Sequence, residues 1–140
     1  MSKRILLDTG PLVAYLKQQD HFHKWAITQL ATIQPPLLTC EAVIVETCFL
    51  LRNTYGGQGT VINLLNTKNV QIPFRLEEEA EAVGELLTRY QSVPMSLADA
   101  CLVRMAELYS DIAVLTLDSD FTIYRKNKNL VIPAIMPAQR

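Results

Sequence analysis

The sequence has few of the residues that build several common kinds of functional site. Its three cysteines form no CxxC pair and, with only two histidines, give none of the spacings of a zinc site. Cys40, Cys48 and Cys101 stand among apolar residues, which indicates small, reduced core residues. The glycine-rich stretch Gly56-Gly57-Gln58-Gly59 lacks the lysine and the spacing of a phosphate-binding P-loop, so it is interpreted as a loop.

Long apolar runs and an excess of positive charge are also missing. No run approaches the roughly 20 apolar residues that a membrane span needs. Ile5 to Leu7 is too short for the hydrophobic region of a signal peptide, so we expect a cytoplasmic protein without a membrane partner. The net charge of −1 gives no general attraction to nucleic acid, so an RNA partner would need a local basic patch.

Short apolar segments alternate with helical patterns along the chain. A chain of 140 residues with 49% hydrophobic residues predicts one compact domain over residues 1–140. Short apolar strands that alternate with helices are typical of a parallel sheet covered on both faces, an α/β sandwich. The predicted strands are Ile5–Leu7, Leu37–Thr39, Val70–Phe74, Ala113–Leu117 and Leu130–Ile132, and the predicted helices start near Thr9 or span Phe22–Ile33, Ala42–Asn53, Thr60–Asn66, Glu77–Tyr90 and Ser96–Leu108.

Two predicted strands end on aspartate just before a predicted helix or turn. Asp8 follows the first strand, and Asp118, with Asp120 two residues later, follows the fourth. The carboxyl ends of parallel strands line the ligand crevice of an open α/β sheet. Asp8 could equally be the N-cap of the following helix, because aspartate is favoured there. Capping does not readily explain two acids together beyond one strand end.

Two further acids lie within apolar helical segments. Glu46 either lies on an exposed stripe of its helix or is desolvated, and a desolvated carboxylate needs a cation, a donor or a proton. Asp99 is three residues after Ser96, which resembles a capping box. Glu41 lies about 140° around the helix from Glu46 and is interpreted as a charge near the helix N-terminus.

Taken together, these acids predict a metal site. If the first and fourth strands are neighbours, Asp8 and Asp118 project into one crevice, which Glu46 and Asp99 could also reach. Carboxylates placed close together repel one another unless a cation neutralises them. Because all the ligands would be hard oxygens, the expected ion is Mg²⁺ or Mn²⁺, partly hydrated.

Four stretches that carry these acids resemble the signature segments of PIN domains, in the order that the family shows. They are "ILLDTGPLVAYL", "LLTCEAVIVETCFLL", "SLADACLVRMAE" and "LTLDSDF", and together they span nearly the whole chain. The short length is similar to that of the VapC-type toxins of prokaryotic toxin–antitoxin modules. One departure is Cys40, which stands where many relatives carry serine.

The resemblance implies a three-layer α/β/α fold with a central parallel sheet and a Mg²⁺- or Mn²⁺-dependent ribonuclease activity. It also implies a homodimer and an antitoxin partner. By position, the acidic quartet would be Asp8, Glu46, Asp99 and Asp118, with Asp120 as an additional metal ligand and Thr9 and Thr116 as supporting residues. Their individual roles stay open: Glu46 could complete the metal site, orient water or act as a base.

Outside the acidic set, the sequence gives weaker indications of RNA contact and of helix packing. Arg125, Lys126 and Lys128 are candidates for RNA contact, although a short basic run is usually a solvated surface. Asp20, His23 and Ala26 resemble a "DxxHxxA"-like pattern of this family, to which we assign helix capping and packing.

Two other functions compete with the nuclease. Phosphotransfer through aspartate would need a D-x-D-x-T stretch or an acidic pair after the first strand, and Asp8-Thr9-Gly10-Pro11 has neither. A non-catalytic RNA-binding or interaction module on the same fold remains the alternative, although a binder of a polyanion has no use for clustered carboxylates.

Overall fold

A computed structural model describes residues 3–138 and contains a central sheet, a small two-stranded ribbon and helices on both sides of the sheet. The strands are β1 (Arg4–Leu7), β2 (Leu37–Leu38), β3 (Val70–Gln71), β4 (Ile112–Leu115), β5 (Arg125–Lys126), β6 (Leu130–Val131) and β7 (Ala134–Ile135). The helices are α1 (Thr9–Leu16), α2 (His23–Thr32), α3 (Glu41–Leu50), α4 (Gly57–Asn66), α5 (Ala80–Arg89) and α6 (Leu97–Leu108), and Ser119–Thr122 forms one turn of 3₁₀ helix.

The central sheet is parallel and has the order β3-β2-β1-β4-β7. Strand β1 lies in the middle and pairs with β4 along its full length, with Leu7 opposite Leu115. The chain adds β2 and β3 on one side of β1 and then β4 and β7 on the other. The strand order therefore reverses between β1 and β4, which is the point where parallel α/β sheets form their ligand crevice.

Side chains alternate between two hydrophobic cores on opposite faces of the sheet. Ile5 and Leu7 of β1 pack into a core with residues of α1, α2 and α4. Leu6 points to the other face and packs into a core with residues of α5 and α6. Helix α3 contributes to both cores, through Val43 on one side and Ile44 on the other. This arrangement is the expected three-layer α/β/α sandwich.

The cysteines of the described residues are free thiols, as their apolar surroundings predicted. Cys40 and Cys101 are buried in the same core, where α3 meets α6. The neighbouring Cys101 thiol and burial together raise the pKa of the Cys40 thiol. A neutral buried thiol behaves as a small apolar side chain.

The fifth strand of the sheet was predicted in the wrong place. The apolar run at Leu130 pairs antiparallel with Arg125–Lys126 as a separate ribbon, and Ala134–Ile135 is the strand that pairs with β4. Asn127 and Lys128 adopt positive φ angles of 49° and 76°, which turn the chain back on itself before it reaches the sheet. Leu130 and Val131 are consequently 51% and 64% exposed.

Several helix ends also differ from the sequence pattern. Helix α4 begins at Gly57, three residues before the predicted start, because Gly56 takes a left-handed conformation just before it. Helix α5 begins at Ala80, since Glu77 to Glu79 form turns. None of the helices within residues 3–138 is long and apolar enough to cross a lipid bilayer.

The core arrangement predicts that β1 is a stability determinant. Leu6→Ala removes a fully buried side chain from the middle of the sheet, so we expect a loss of about 2–5 kcal/mol in the free energy of unfolding. Ile62→Ala, at a half-exposed position of α4, should cost less than about 1 kcal/mol. Urea denaturation of both variants measures the difference, and equal losses would contradict this assignment of the core.

Candidate active site

The carboxyl ends of β1 and β4 bring the first acidic residues together. Asp8 directly follows β1, and Thr116, Leu117 and Asp118 directly follow β4. The backbone N–H of Asp8 donates to the carbonyl of Leu115 at 3.1 Å, so the parallel pairing continues to the aspartate itself. Gly10 allows the close packing here, because a Cβ at this position would come within 3.2 Å of the Leu117 side chain.

Asp8 is buried, and each of its two carboxylate oxygens accepts a hydrogen bond. Its Oδ1 accepts from the backbone N–H of Thr9 at 2.8 Å, and its Oδ2 accepts from the Thr116 hydroxyl at 2.6 Å. Only 6% of the residue is exposed. Desolvation by burial raises the pKa of Asp8 from 3.8 to about 6, against the lowering effect of the two hydrogen bonds, and the charges of Asp99 and Asp118 add to the rise.

Thr116 connects Asp8 to the loop after β4. Its hydroxyl donates to Asp8 and accepts the backbone N–H of Asp118 at 2.9 Å. Asp118 in turn accepts the backbone N–H of Asp120 on its Oδ1 at 2.9 Å and so caps the 3₁₀ turn. The two-residue spacing between Asp118 and Asp120 therefore has a local role, because it allows Asp118 to cap the turn. Asp118 is also close enough to Asp8 for its charge to raise the pKa of Asp8.

Asp99 approaches the same place from the first turn of α6. Ser96 and Asp99 form the expected capping box, in which each side chain accepts the other residue's backbone N–H. The Asp99 Oδ2 also accepts a hydrogen bond from the Tyr124 hydroxyl at 3.2 Å. Burial first, and then the charge of Asp118, raise the pKa of Asp99.

Glu46 is held by a donor from α1. It is half-buried on α3, and its Oε1 accepts the Thr9 hydroxyl at 2.8 Å. Thr9 thus uses its backbone N–H for Asp8 and its side chain for Glu46. Glu41, five residues earlier, is exposed at the start of α3, as its helical position predicted.

The capping and site interpretations of the aspartates are compatible. Asp8 caps α1, Asp99 completes the capping box of α6 and Asp118 caps the 3₁₀ turn, yet Asp99 and Asp118 are each close enough to Asp8 to raise its pKa. A carboxylate has about four lone-pair positions, so one capping hydrogen bond leaves it able to accept more. Helix capping therefore orients these carboxylates and leaves lone pairs on their oxygens for a ligand.

The donor chemistry fits a hard divalent cation that keeps part of its water. The donors are carboxylate oxygens from different segments of the chain. Among residues 3–138, no three His, Cys, Asp or Glu side chains are grouped closely enough to hold an ion between them. Mg²⁺ is usually bound through one or two carboxylates, several waters and substrate phosphates, so this wider spacing suits it.

The basic candidates lie on the β5–β6 ribbon rather than within the acidic cluster. Across residues 3–138, Arg125, Lys126 and Lys128 form no ion pair with the carboxylates described above. The Arg125 Nη1 donates to the backbone carbonyls of Thr122, Ile123 and Tyr124 at 2.8 to 3.0 Å, which gives this residue a structural role. Lys128 is exposed and Lys126 is half-buried.

The "DxxHxxA"-like residues join α1 to α2. Asp20 accepts the backbone N–H of Phe22 at 2.8 Å, and the His23 Nδ1 lies 2.7 Å from the carbonyl oxygen of Ala14 in α1. Ala26 is fully buried. The prediction of packing is confirmed, whereas Asp20 holds the turn before α2 and does not cap the helix, whose N-cap is Phe22 without a side-chain capping bond.

Tyr124 was absent from the sequence prediction of the site. Its ring is fully buried, and burial together with the charge of Asp99 raises the pKa of its hydroxyl above the usual range, so the hydroxyl stays a donor. Its partner is 25 residues away in sequence. A search for short sequence motifs therefore cannot link Tyr124 to Asp99.

The raised pKa of Asp8 predicts a pH-dependent stability in metal-free protein. Because the folded-state pKa lies above the unfolded one, the contribution of Asp8 is fully present below about pH 4 and is lost as the pH rises through about 6. Asp8→Asn keeps the size of the side chain and removes this loss. In EDTA we expect the variant to gain about 2–3 kcal/mol over wild type between acidic and neutral pH. Urea unfolding across the pH range measures it, and a pH-independent difference would contradict the assignment.

Comparisons with known proteins agree with this fold. By sequence, no curated protein matches the chain. Among solved structures, the chain is similar to the crystal structure of VapC20 from Mycobacterium tuberculosis, a toxin that cleaves the sarcin–ricin loop, with a TM-score of 0.77 and 21% identity over 85% of this chain and 93% of that one. At this identity the likeness shows the fold. The family model of the PIN domain matches residues 5–127. The chain therefore belongs to the PIN domain family.

Proposed function

We propose that this protein is a Mg²⁺- or Mn²⁺-dependent endoribonuclease that hydrolyses phosphodiester bonds of RNA, and that it acts as the toxin of a type II toxin–antitoxin module. The observation that supports this proposal best is the set of carboxylates at the reversal of strand order. Asp8 and Asp99 are largely buried, and Asp118 raises the pKa of both. Buried acids that repel one another are unfavourable in a free protein and favourable around a cation.

In this proposal, one or two of Asp8, Asp99 and Asp118 bind the ion directly and the others act through its bound water, with Asp120 as a further oxygen donor. When bound, a divalent cation polarises the phosphodiester, lowers the pKa of water and stabilises the leaving oxygen. Thr116 fixes the Asp8 carboxylate through a 2.6 Å hydrogen bond and so keeps its remaining lone pairs in a defined direction.

Glu46 is the acid best suited to handle water. Its Oε1 accepts the Thr9 hydroxyl, while Oε2 accepts no hydrogen bond from the described residues. A half-buried carboxylate with one oxygen held and the other available can orient an attacking water or accept its proton. Thr9 would then be a positioning residue for Glu46, as Thr116 is for Asp8.

RNA would reach the acidic cluster only with help from cations of the chain, because the carboxylates repel phosphate. Lys126 and Lys128 on the β5–β6 ribbon are proposed to contact the RNA backbone, and Arg125 to support the ribbon through its carbonyl contacts. The similarity to VapC20, whose target is the sarcin–ricin loop, makes a structured RNA the substrate class to test first.

Two protein partners follow from the toxin proposal: an antitoxin that silences the nuclease, and a second copy in a homodimer. Exposed apolar side chains on α3, Val45, Phe49 and Leu50, are compatible with a partner surface. Sedimentation equilibrium of the purified chain tests the dimer, and a monomer across the concentration range would remove it from the proposal.

Removal of the Asp8 charge is expected to abolish cleavage. A pool of structured RNA, including a sarcin–ricin-loop oligonucleotide, should be cut by wild type in Mg²⁺ or Mn²⁺ and left intact in EDTA. Asp8→Asn should reduce the rate at least about 100-fold, because it replaces a charged metal ligand by a neutral amide.

Asp111→Asn is the matched control for this experiment. Asp111 is exposed at the opposite end of β4 from Asp118, so the same chemical change there should leave the rate unchanged. No cleavage by wild type, together with no binding of Mn²⁺, would favour the non-catalytic RNA-binding or interaction module. Cleavage that persists in Asp8→Asn would place the active site elsewhere.

Loss of charge on the ribbon is expected to weaken RNA binding without changing the chemistry. Lys126→Gln with Lys128→Gln should raise KM several-fold and reduce the salt dependence of binding by up to about two charges, with kcat retained. Lys68→Gln, an exposed lysine between α4 and β3, serves as the control. A fall in kcat with KM unchanged would contradict a role in backbone contact.

A further inference from the structure

We propose that Tyr124 is a positioning residue of the active site, whose hydroxyl orients the Asp99 carboxylate for metal binding. This inference rests on the proposed function, because it assigns Asp99 to the ion. Tyr124 lies outside the four acidic stretches, and among residues 3–138 its hydrogen bonds to the site go to Asp99 and to the backbone of the loop after β4.

The hydroxyl of Tyr124 acts on one oxygen of Asp99. It lies 3.2 Å from the Asp99 Oδ2, which also accepts the backbone N–H of Ser96 at 3.2 Å. Within residues 3–138, the Asp99 Oδ1 accepts no hydrogen bond. Two donors on one oxygen fix the plane of the carboxylate and leave the other oxygen available to the ion or its water.

Tyr124 also connects the two segments that carry Asp99 and Asp118. Its backbone N–H donates to the carbonyl of Asp120 at 3.1 Å, at the end of the 3₁₀ turn. Its hydroxyl reaches the start of α6, where the Pro94 carbonyl is a second acceptor at 3.3 Å. A rigid aromatic side chain therefore sets the separation between a carboxylate on α6 and those on the loop after β4.

Packing holds Tyr124 in this position. The residue is fully buried, and its ring makes edge-to-face contacts with Phe121 and Tyr90, with ring centroids 5.2 and 5.1 Å away. The hydroxyl has two acceptors, the backbone carbonyl of Pro94 and the carboxylate of Asp99, and the bond to Pro94 is the purely structural one. The bond to Asp99 is the one by which the hydroxyl reaches a carboxylate of the candidate site.

Tyr90 provides a matched control. It belongs to the same aromatic cluster, and its hydroxyl accepts the backbone N–H of Arg125 at 2.9 Å, away from any carboxylate of the site. Tyr124→Phe and Tyr90→Phe thus delete the same atom from neighbouring rings. A purely structural contribution affects both variants through stability, whereas positioning affects only Tyr124→Phe.

The experiment is a titration of Mn²⁺ into the full chain without RNA, followed by the electron paramagnetic resonance signal of free Mn²⁺. We expect Tyr124→Phe to bind Mn²⁺ about 10-fold more weakly than wild type, the lower end of the usual loss when a partner of a metal ligand is removed. Tyr90→Phe should bind as wild type does. In cleavage assays, the rate of Tyr124→Phe should recover at saturating Mn²⁺.

A double-mutant cycle separates action through Asp99 from a general loss of structure. In an Asp99→Asn background, Tyr124→Phe should cause no further loss of Mn²⁺ affinity. Equal Mn²⁺ binding by wild type and Tyr124→Phe, or an undiminished effect in the Asp99→Asn background, would overturn the proposal. Because the titration contains no RNA, it decides the role of Tyr124 even if wild type binds Mn²⁺ and cleaves nothing, a result that would overturn the proposed ribonuclease alone.

Discussion

Electrostatic repulsion among carboxylates at the carboxyl ends of β1 and β4 is the constraint that the surrounding structure has to satisfy. Asp8 has lost nearly all its water, and the charges of Asp99 and Asp118 raise its pKa further. Hydrogen-bond donors partly offset this effect. The Thr9 N–H and the Thr116 hydroxyl donate to Asp8, and the Ser96 N–H and the Tyr124 hydroxyl donate to Asp99. These donors favour the charged forms, but burial outweighs them, so the fully ionised cluster stays unfavourable without a proton or the cation that we propose.

The hydrogen bonds that stabilise the buried carboxylates also fix the orientation of those carboxylates. Asp8 and Asp118 each cap a helix or a turn, and Asp99 completes the capping box of α6, so these elements fix the carboxylates of the candidate site at their starts. A cap fixes a side chain through short, local contacts and needs little additional structure. The result is a set of acids that are held by rigid elements while each acid keeps lone pairs for a ligand.

Much of this arrangement could be predicted from the sequence because its determinants are local. The end of β1 at Asp8, the Ser96–Asp99 capping box and the two-sided sheet all come from short patterns of apolar and acidic residues, whereas β4 ends at Leu115, two residues before its predicted end. The sequence did not predict that Ala134–Ile135, and not Leu130–Ile132, forms the last strand of the sheet. Positive φ angles at Asn127 and Lys128 turn the chain there, and the pattern of apolar residues does not reveal them. The role of Tyr124 could not be predicted either, because only the folded chain brings Tyr124 next to Asp99.

Placement of the site at the reversal of strand order explains how a short chain can support it. Sheets of this order open a crevice between β1 and β4 without an added domain, because the connections leave in opposite directions from the two strands. Each strand needs only four residues, since Asp8 follows β1 directly and Asp118 comes three residues after β4. Residues that would strengthen the core at this edge, such as an apolar side chain in place of Asp8, would remove the charge on which the proposed chemistry depends. Stability at this edge of the sheet is therefore limited by the function that we propose for it.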